Sequence, residues 1–207
     1  MASEFYFSHW ILKPLFLLSQ GITTNLVGAT LVDLRFIFGV SLNVIAYLPV
    51  ATGLGYLIGS LASYTYGLLN RQLMLIAFVL LMAVTMALLP RYGHLGLALP
   101  ALVLSGIGSG AWDAATSIWL VELWPVGNSA VLQGSQFAWG AGSIVAPIMV
   151  SPFVYGEANV TADNRTLTVE ERVRRLAIPY EIVGVVQLVG KLQEGNSFVL
   201  HSNSFFF

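Results

Sequence analysis

The sequence contains no cysteine, which excludes disulfide bonds and thiolate metal sites. Its three histidines, His9, His94 and His201, stand far apart and show no metal-ligand spacing, so no metal site is predicted. A Gly-x-Ser-x-Gly motif, a histidine cluster and paired aspartates on facing helices are also absent. The sequence therefore predicts no catalytic residues and a protein that is not an enzyme.

Charge is equally scarce. Only 9% of the 207 residues are charged and 57% are hydrophobic, whereas soluble domains carry about 25% charged residues. The net charge of -1 leaves no basic face for nucleic acid. The sequence predicts an all-α, polytopic helix bundle in a lipid bilayer. Because Glu4 stands where a signal peptide would carry positive charge, we expect the first apolar segment to be retained.

The apolar residues are grouped into stretches long enough to cross a membrane, which takes about 20 residues. Five such spans are predicted, at about 10–31, 42–66, 73–89, 97–123 and 130–154. A polar loop at 156–175 and a partial sixth helix at 176–190 follow, and the tail at 191–207 is predicted to be irregular. We expect a truncated product, from alternative splicing, a retained intron or an incomplete gene model.

One carboxylate interrupts the fourth span. Asp113 lies in the middle of the apolar run from Ser105 to Trp124. A carboxylate in a spanning segment costs at least a few kcal/mol and usually faces a bundle interior or a watery path. Asp113 is therefore the first candidate for binding a cation or solute. The alternative is a structural aspartate that caps a helix or bonds to a neighbouring helix.

Amide side chains interrupt two other spans. Gln20 and Asn25 lie in the first span, and Gln133 and Gln136 share one face of the fifth. Amides supply the paired donors and acceptors that sugar hydroxyls require, so all four are candidate solute ligands. Hydrogen bonding between helices is the alternative for each of them.

Small residues recur every four positions in three spans. Such stripes allow helices to approach closely. The glycines predicted to pack against another helix are Gly55, Gly59, Gly106, Gly110 and Gly142.

Two features of the polar loop give opposite orientations. Asn159 and Asn164 begin glycosylation sequons, which favour a lumenal or extracellular loop. Four arginines in the same loop favour the cytosol under the positive-inside rule. We give the sequons more weight and predict a cytosolic N-terminus and a glycoprotein on the secretory route, with the plasma membrane as its destination.

Four motifs in order carry a resemblance to a known family. They are G-A-T-L-V-D-L at 28–34, G-L-G-Y-L-I-G-S-L at 53–61, G-I-G-S-G-A-W-D-A-A-T-S at 106–117 and Q-F-A-W-G-A-G-S-I-V-A-P at 136–147. The chain thereby resembles the N-terminal half of a major facilitator superfamily transporter. The branch it resembles is the sodium-dependent glucose transporter 1-like branch, or major facilitator superfamily domain-containing protein 4, which is similar in turn to bacterial fucose permeases.

The resemblance implies two six-helix halves with a sugar or another small polar solute bound between them, and symport with sodium or a proton. It implies no other cofactor. Asp113 stands where fucose permease-like proteins carry an acidic residue, but Ser117 replaces the asparagine that often follows. Gly67 stands where the superfamily's gating loop usually has an aspartate, and only Arg71 of its charged set is present. The alternative is a non-transporting partner or inhibitor that pairs with a carrier half or a full-length carrier.

Overall fold

The computed structural model describes residues 17–62, 71–123, 128–157 and 167–202, and these residues form helices and no strand. The predicted all-α class is therefore confirmed. Short 3-10 turns follow α5 at Leu89–Arg91 and α7 at Ser151–Phe153. The helices are α1 Leu17–Ala29, α2 Leu31–Phe38, α3 Leu42–Ile45, α4 Tyr47–Ala62, α5 Arg71–Leu88, α6 Leu95–Leu123, α7 Asn128–Val150 and α8 Val169–Ser202.

Two of the described helical segments are long and apolar enough to cross a membrane. These are Leu42–Leu61, which joins α3 to α4, and Leu95–Ile118 in α6. The pair α1 and α2 provides a third if the two helices form one span with a bend of 53°. Ile76–Arg91 is apolar but shorter. The five predicted spans thus remain a prediction.

The bend between α1 and α2 lies at Thr30. The first predicted span ended at about residue 31, next to this bend. The Thr30 hydroxyl donates to the backbone carbonyl of Leu26 at 2.9 Å. A threonine that bonds back to the preceding turn commonly bends a helix. The chain then continues as α2 and stops at Gly39, which has a φ of 64° and caps the helix. The predicted residues 10–16 lie outside the described part of the chain.

Helix α8 differs most from its prediction. It begins at Val169, within the predicted loop at 156–175, because Thr168 and Glu171 form a capping box. The Glu171 amide donates to Thr168 Oγ1 at 3.3 Å, and the Thr168 amide donates to Glu171 Oε2 at 3.1 Å. The helix then continues to Ser202. The prediction of a partial helix at 176–190 was too short, and an irregular tail is wrong for residues 191–202.

Helix α6 lies in the middle of the bundle. It packs against α4 on one side and α5 on another, while α8 packs on α5 and reaches α2. The Trp112 ring is buried together with Leu17 and Val79, and Ala138 packs against this group, so that α6, α1, α5 and α7 meet there. Large apolar side chains on the outer faces of α5 and α8 are exposed, as in helices that face lipid. They include Leu80, Val84, Ile182 and Val185.

Candidate solute and cation site

Glycines bring the backbones of α4 and α6 into contact. A Cβ atom added to Gly55 would lie 2.1 Å from the Val103 carbonyl oxygen, and one added to Gly59 would lie 2.1 Å from that of Ile107. The α6 glycines meet α4 in the same way. Added Cβ atoms on Gly106 and Gly110 would lie 2.2 Å from Thr52 O and 2.1 Å from Tyr56 O. Contacts this short leave no room for any larger residue at the four positions.

This contact sets Tyr56 on α4 against Asp113 on α6. The Tyr56 hydroxyl donates to Asp113 Oδ2 at 2.5 Å, the length of a charge-assisted hydrogen bond. Asp113 is half-buried and Tyr56 is exposed, so the pair lies at an accessible edge of the α4–α6 contact. On another side of α6, a Cβ on Gly108 would lie 2.6 Å from Phe78 O of α5. The carboxylate is therefore held on a helix that cannot shift toward either neighbour.

A second close contact joins α1 to α7 and carries Asn25. An added Cβ on Gly142 would lie 2.0 Å from Leu18 O, and one on Gly21 would lie 2.0 Å from Trp139 O. Asn25 Nδ2 donates to Ser143 Oγ at 2.8 Å and to Gly21 O at 3.0 Å. Asn25 is half-buried, so its amide is oriented by α7 beside an accessible surface.

Gln20 faces α8 and is buried, unlike Asn25. Its Oε1 accepts a hydrogen bond from Gln187 Nε2 of α8 at 3.0 Å, and the residue is only 4% exposed. Gln20 is therefore packed between α1 and α8, which corresponds to the alternative interhelical role of that amide.

Gln133 and Gln136 are exposed on the surface of α7, near the exposed ring of Phe137. Three of the five predicted ligands, Asp113, Asn25 and Gln20, thus bond to three different helices. The ring of Trp112, the residue before Asp113, is buried in the core.

Several polar contacts of the structure are missed by sequence reasoning. The partners Tyr56 and Gln187 were unassigned, although a hydroxyl or amide inside an apolar span was itself a signal. The pair Asp33 and Arg172 was also missed, because Arg172 was assigned to a loop. Its Nη1 atom lies 2.5 Å from Asp33 Oδ1, and both side chains are buried.

Backbone and aromatic groups complete the Asp33–Arg172 cluster. Asp33 Oδ2 accepts from the Gly156 amide at 3.0 Å, and Asp33 Oδ1 accepts from the Tyr155 amide at 3.3 Å. Arg172 lies over the Phe36 ring at 4.3 Å. These contacts join α2 and the segment after α7 to the start of α8. The sequon residues Asn159 and Asn164 lie outside the described part of the chain, in the connection that follows.

Comparisons with known proteins find relatives of one kind. The chain is 29% identical over 140 residues to major facilitator superfamily domain-containing protein 4B of Danio rerio, covering 67% of this chain and 26% of that protein. It is 25% identical over 180 residues to protein 4A of Xenopus tropicalis, covering 84% and 36%. With protein 4A of Homo sapiens, the identity is 26% over 156 residues, covering 74% and 30%.

The chain thus spans about a quarter to a third of the length of these curated relatives. No protein-family model matches it. No solved structure matches it significantly. Together with the helical bundle and its apolar spans, the relatives support a relationship to the major facilitator superfamily.

Proposed function

We propose that the chain contributes one wall of a secondary carrier for a sugar or a similar small polar solute, and that Asp113 couples solute movement to a cation. The hydrogen bond from Tyr56 to Asp113 carries this proposal. A half-buried carboxylate that is oriented by a phenol and fixed by two glycine contacts can bind and release a cation without a large rearrangement.

The chemistry follows from the two oxygens of Asp113. Oδ2 accepts the Tyr56 hydroxyl, while Oδ1 provides the negative charge for sodium or for a proton. Cation binding neutralises the carboxylate and lowers the cost of moving it into an apolar environment. The carrier can therefore change conformation more easily when the cation is bound.

We place the solute on the accessible surface formed by α1 and α7. Asn25, Gln133 and Gln136 provide amide donors and acceptors there, and Ser143 orients the first of them. Gln20 is excluded from this surface by its burial. The opposing wall comes from a second six-helix body, as in carriers whose site lies between two halves.

Asp113→Asn tests the coupling. In a carrier that contains this chain, the variant should lose cation-driven accumulation of labelled sugar but keep its amount at the cell surface, because the amide is neutral in every state. Glu157→Gln is the matched control, since Glu157 is an exposed acid paired with Arg35 outside the proposed site. Accumulation that survives Asp113→Asn under both sodium and proton gradients would contradict the proposal.

Glycosylation tests the orientation that the carrier requires. We place the connection between α7 and α8 on the outside of the plasma membrane, so the protein from cells should shift in mobility after glycosidase treatment. The double variant Asn159→Gln with Asn164→Gln should run without that shift, and each single variant should lose part of it. A protein that never shifts would favour the arginine-based orientation, with this connection in the cytosol.

The second candidate function is a membrane partner without transport activity. Exposed apolar side chains on α4 and α7 support it, including Leu57, Leu61, Phe137 and Ile148. The small-residue stripe with Gly55 and Gly59 is not available for such pairing, because α6 already covers both glycines. Crosslinking from cysteine introduced at Leu61 or Phe137 distinguishes the two functions. Capture of a carrier half together with uptake supports the carrier function. Capture of an intact carrier whose uptake is reduced supports the non-transporting partner.

A further inference from the structure

We infer that a cluster of polar groups between α1 and α8 is a sodium site, separate from Asp113. This α1–α8 polar cluster consists of Ser19, Gln20, Thr23 and Gln187, whose exposed fractions are 6%, 4%, 4% and 1%. The inference deepens the proposed carrier function, on which it rests only for the claim that bound sodium is coupled to transport.

The geometry of the Gln187 amide is the central observation. Its Nε2 atom lies among three oxygens: Thr23 Oγ1 at 2.5 Å, Gln20 Oε1 at 3.0 Å and Ser19 O at 3.5 Å. Its Oε1 atom is buried and has no hydrogen-bond partner among the described residues. An unsatisfied buried acceptor is destabilising, so the present orientation of the amide is a compromise.

Rotation of the Gln187 amide by half a turn exchanges its nitrogen and oxygen and gives the cluster a second arrangement. Gln187 Oε1 would then take the place of Nε2 and face the three oxygens. Among these four oxygens only the Thr23 hydroxyl carries a proton, which it donates to Ser19 O at 2.8 Å, and a cation between them would be bound by the remaining lone pairs of all four. The cluster thus has two arrangements, one with the amide nitrogen inward and one with the amide oxygen inward around a cation.

The distances favour an ion of the size of sodium. Na⁺ has nearly the radius of Ca²⁺, whose oxygen ligands lie about 2.3–2.6 Å away, so neighbouring ligands around it stand about 3.4 Å apart. The inward atom of Gln187 stands 2.5 to 3.5 Å from the three oxygens. A small expansion accommodates Na⁺, whereas the larger K⁺ requires the helices to separate. The absence of a carboxylate from the cluster suits a monovalent ion.

Thermal unfolding of the purified chain in detergent tests the site, with NaCl, KCl and choline chloride compared at equal ionic strength. At a concentration about tenfold above Kd, Na⁺ should raise Tm by about 3–6 °C relative to the other salts. Thr23→Val, which keeps the shape but removes an oxygen, and Gln187→Leu should both lose this shift. Thr24→Val is the matched control and should keep it, because Thr24 is an exposed neighbour whose hydroxyl donates to the backbone oxygen of Gln20.

Asp113→Asn separates this inference from the proposed function. The variant should keep the sodium-dependent shift in Tm even though it loses coupled uptake. A shift that is equal in all three salts, or that persists in Thr23→Val, would overturn the sodium site and leave the role of Asp113 intact. A shift abolished by Asp113→Asn alone would overturn it as well, since the stabilising ion would then bind at the α4–α6 pair.

Discussion

Replacing Arg172 by methionine is expected to lower the free energy of unfolding by about 3–5 kcal/mol, because the Asp33 carboxylate would remain buried without its countercharge. The two side chains are only 3% and 2% exposed, and Nη1 lies 2.5 Å from Oδ1. The Gly156 and Tyr155 amides that also donate to Asp33 cannot neutralise it. The prediction concerns the cost of breaking the pair, which exceeds the net contribution of the intact pair.

Thermal or denaturant unfolding in detergent measures this loss, with Glu157→Gln as the control. Glu157 also pairs with an arginine, Arg35, at 3.1 Å, but the two side chains are 69% and 28% exposed. That change should cost less than about 1 kcal/mol. Combining Asp33→Asn with Arg172→Met should recover at least half of the loss, because no charge is left and the asparagine oxygen still accepts from the Gly156 amide. Equal costs for Arg172→Met and Glu157→Gln would contradict the burial of the pair.

Gly55→Ala is expected to disrupt the bundle, although it adds a single methyl group to a helix. The new Cβ would lie 2.1 Å from the Val103 carbonyl oxygen, so α4 and α6 must move apart along their whole contact. Overpacking of this kind costs about 1–3 kcal/mol, and more where the obstacle is backbone. The separation also lengthens the contact between Tyr56 and Asp113, so coupled transport should fall together with stability.

Gly53→Ala is the control for that change. Gly53 lies on the same helix, two residues earlier, and nothing lies within 4 Å of its added Cβ. Alanine there should be neutral or stabilise the helix by about 0.5–1 kcal/mol. Expression level, monodispersity in detergent and Tm report the difference. If Gly55→Ala tolerated heating as well as Gly53→Ala, the close approach of α4 and α6 would be wrong.

The helices were predictable where apolar length alone decides, as in α4 and α6. Hydropathy alone predicted a late start for α8, at residue 176 instead of Val169, because the arginines and glutamates of its first turns resemble a solvated loop. The Thr168–Glu171 spacing carried the correct signal for a helix start. The bend at Thr30 was not readable in this way, because a threonine in an apolar helix bends it only in some packing contexts.

Individual residues of the candidate site were predictable from the sequence, but the partners that each residue meets were not. Gln20 and Asn25 were both predicted as solute ligands in the first span. Residues five positions apart at 3.6 per turn point about 140° apart, so Gln20 meets α8 and Asn25 meets α7. Asp113 stood out because a carboxylate is rare in an apolar run. Its partner Tyr56 lies 57 residues away and could be found only from the approach of two helices.

The contacts of α8 with α1 and α2 form late in biosynthesis, because their partner residues are translated far apart in time. Asp33 leaves the ribosome 139 residues before Arg172, and Thr30 precedes its hydrogen-bond partner Tyr180 by 150 residues. At about 5–20 residues per second, a newly made carboxylate waits about 7–30 s for its arginine. During that interval the Asp33 carboxylate has to stay in contact with water or with the insertion machinery. Helix α8 is therefore the helix that allows α1 and α2 to settle fully into the bilayer.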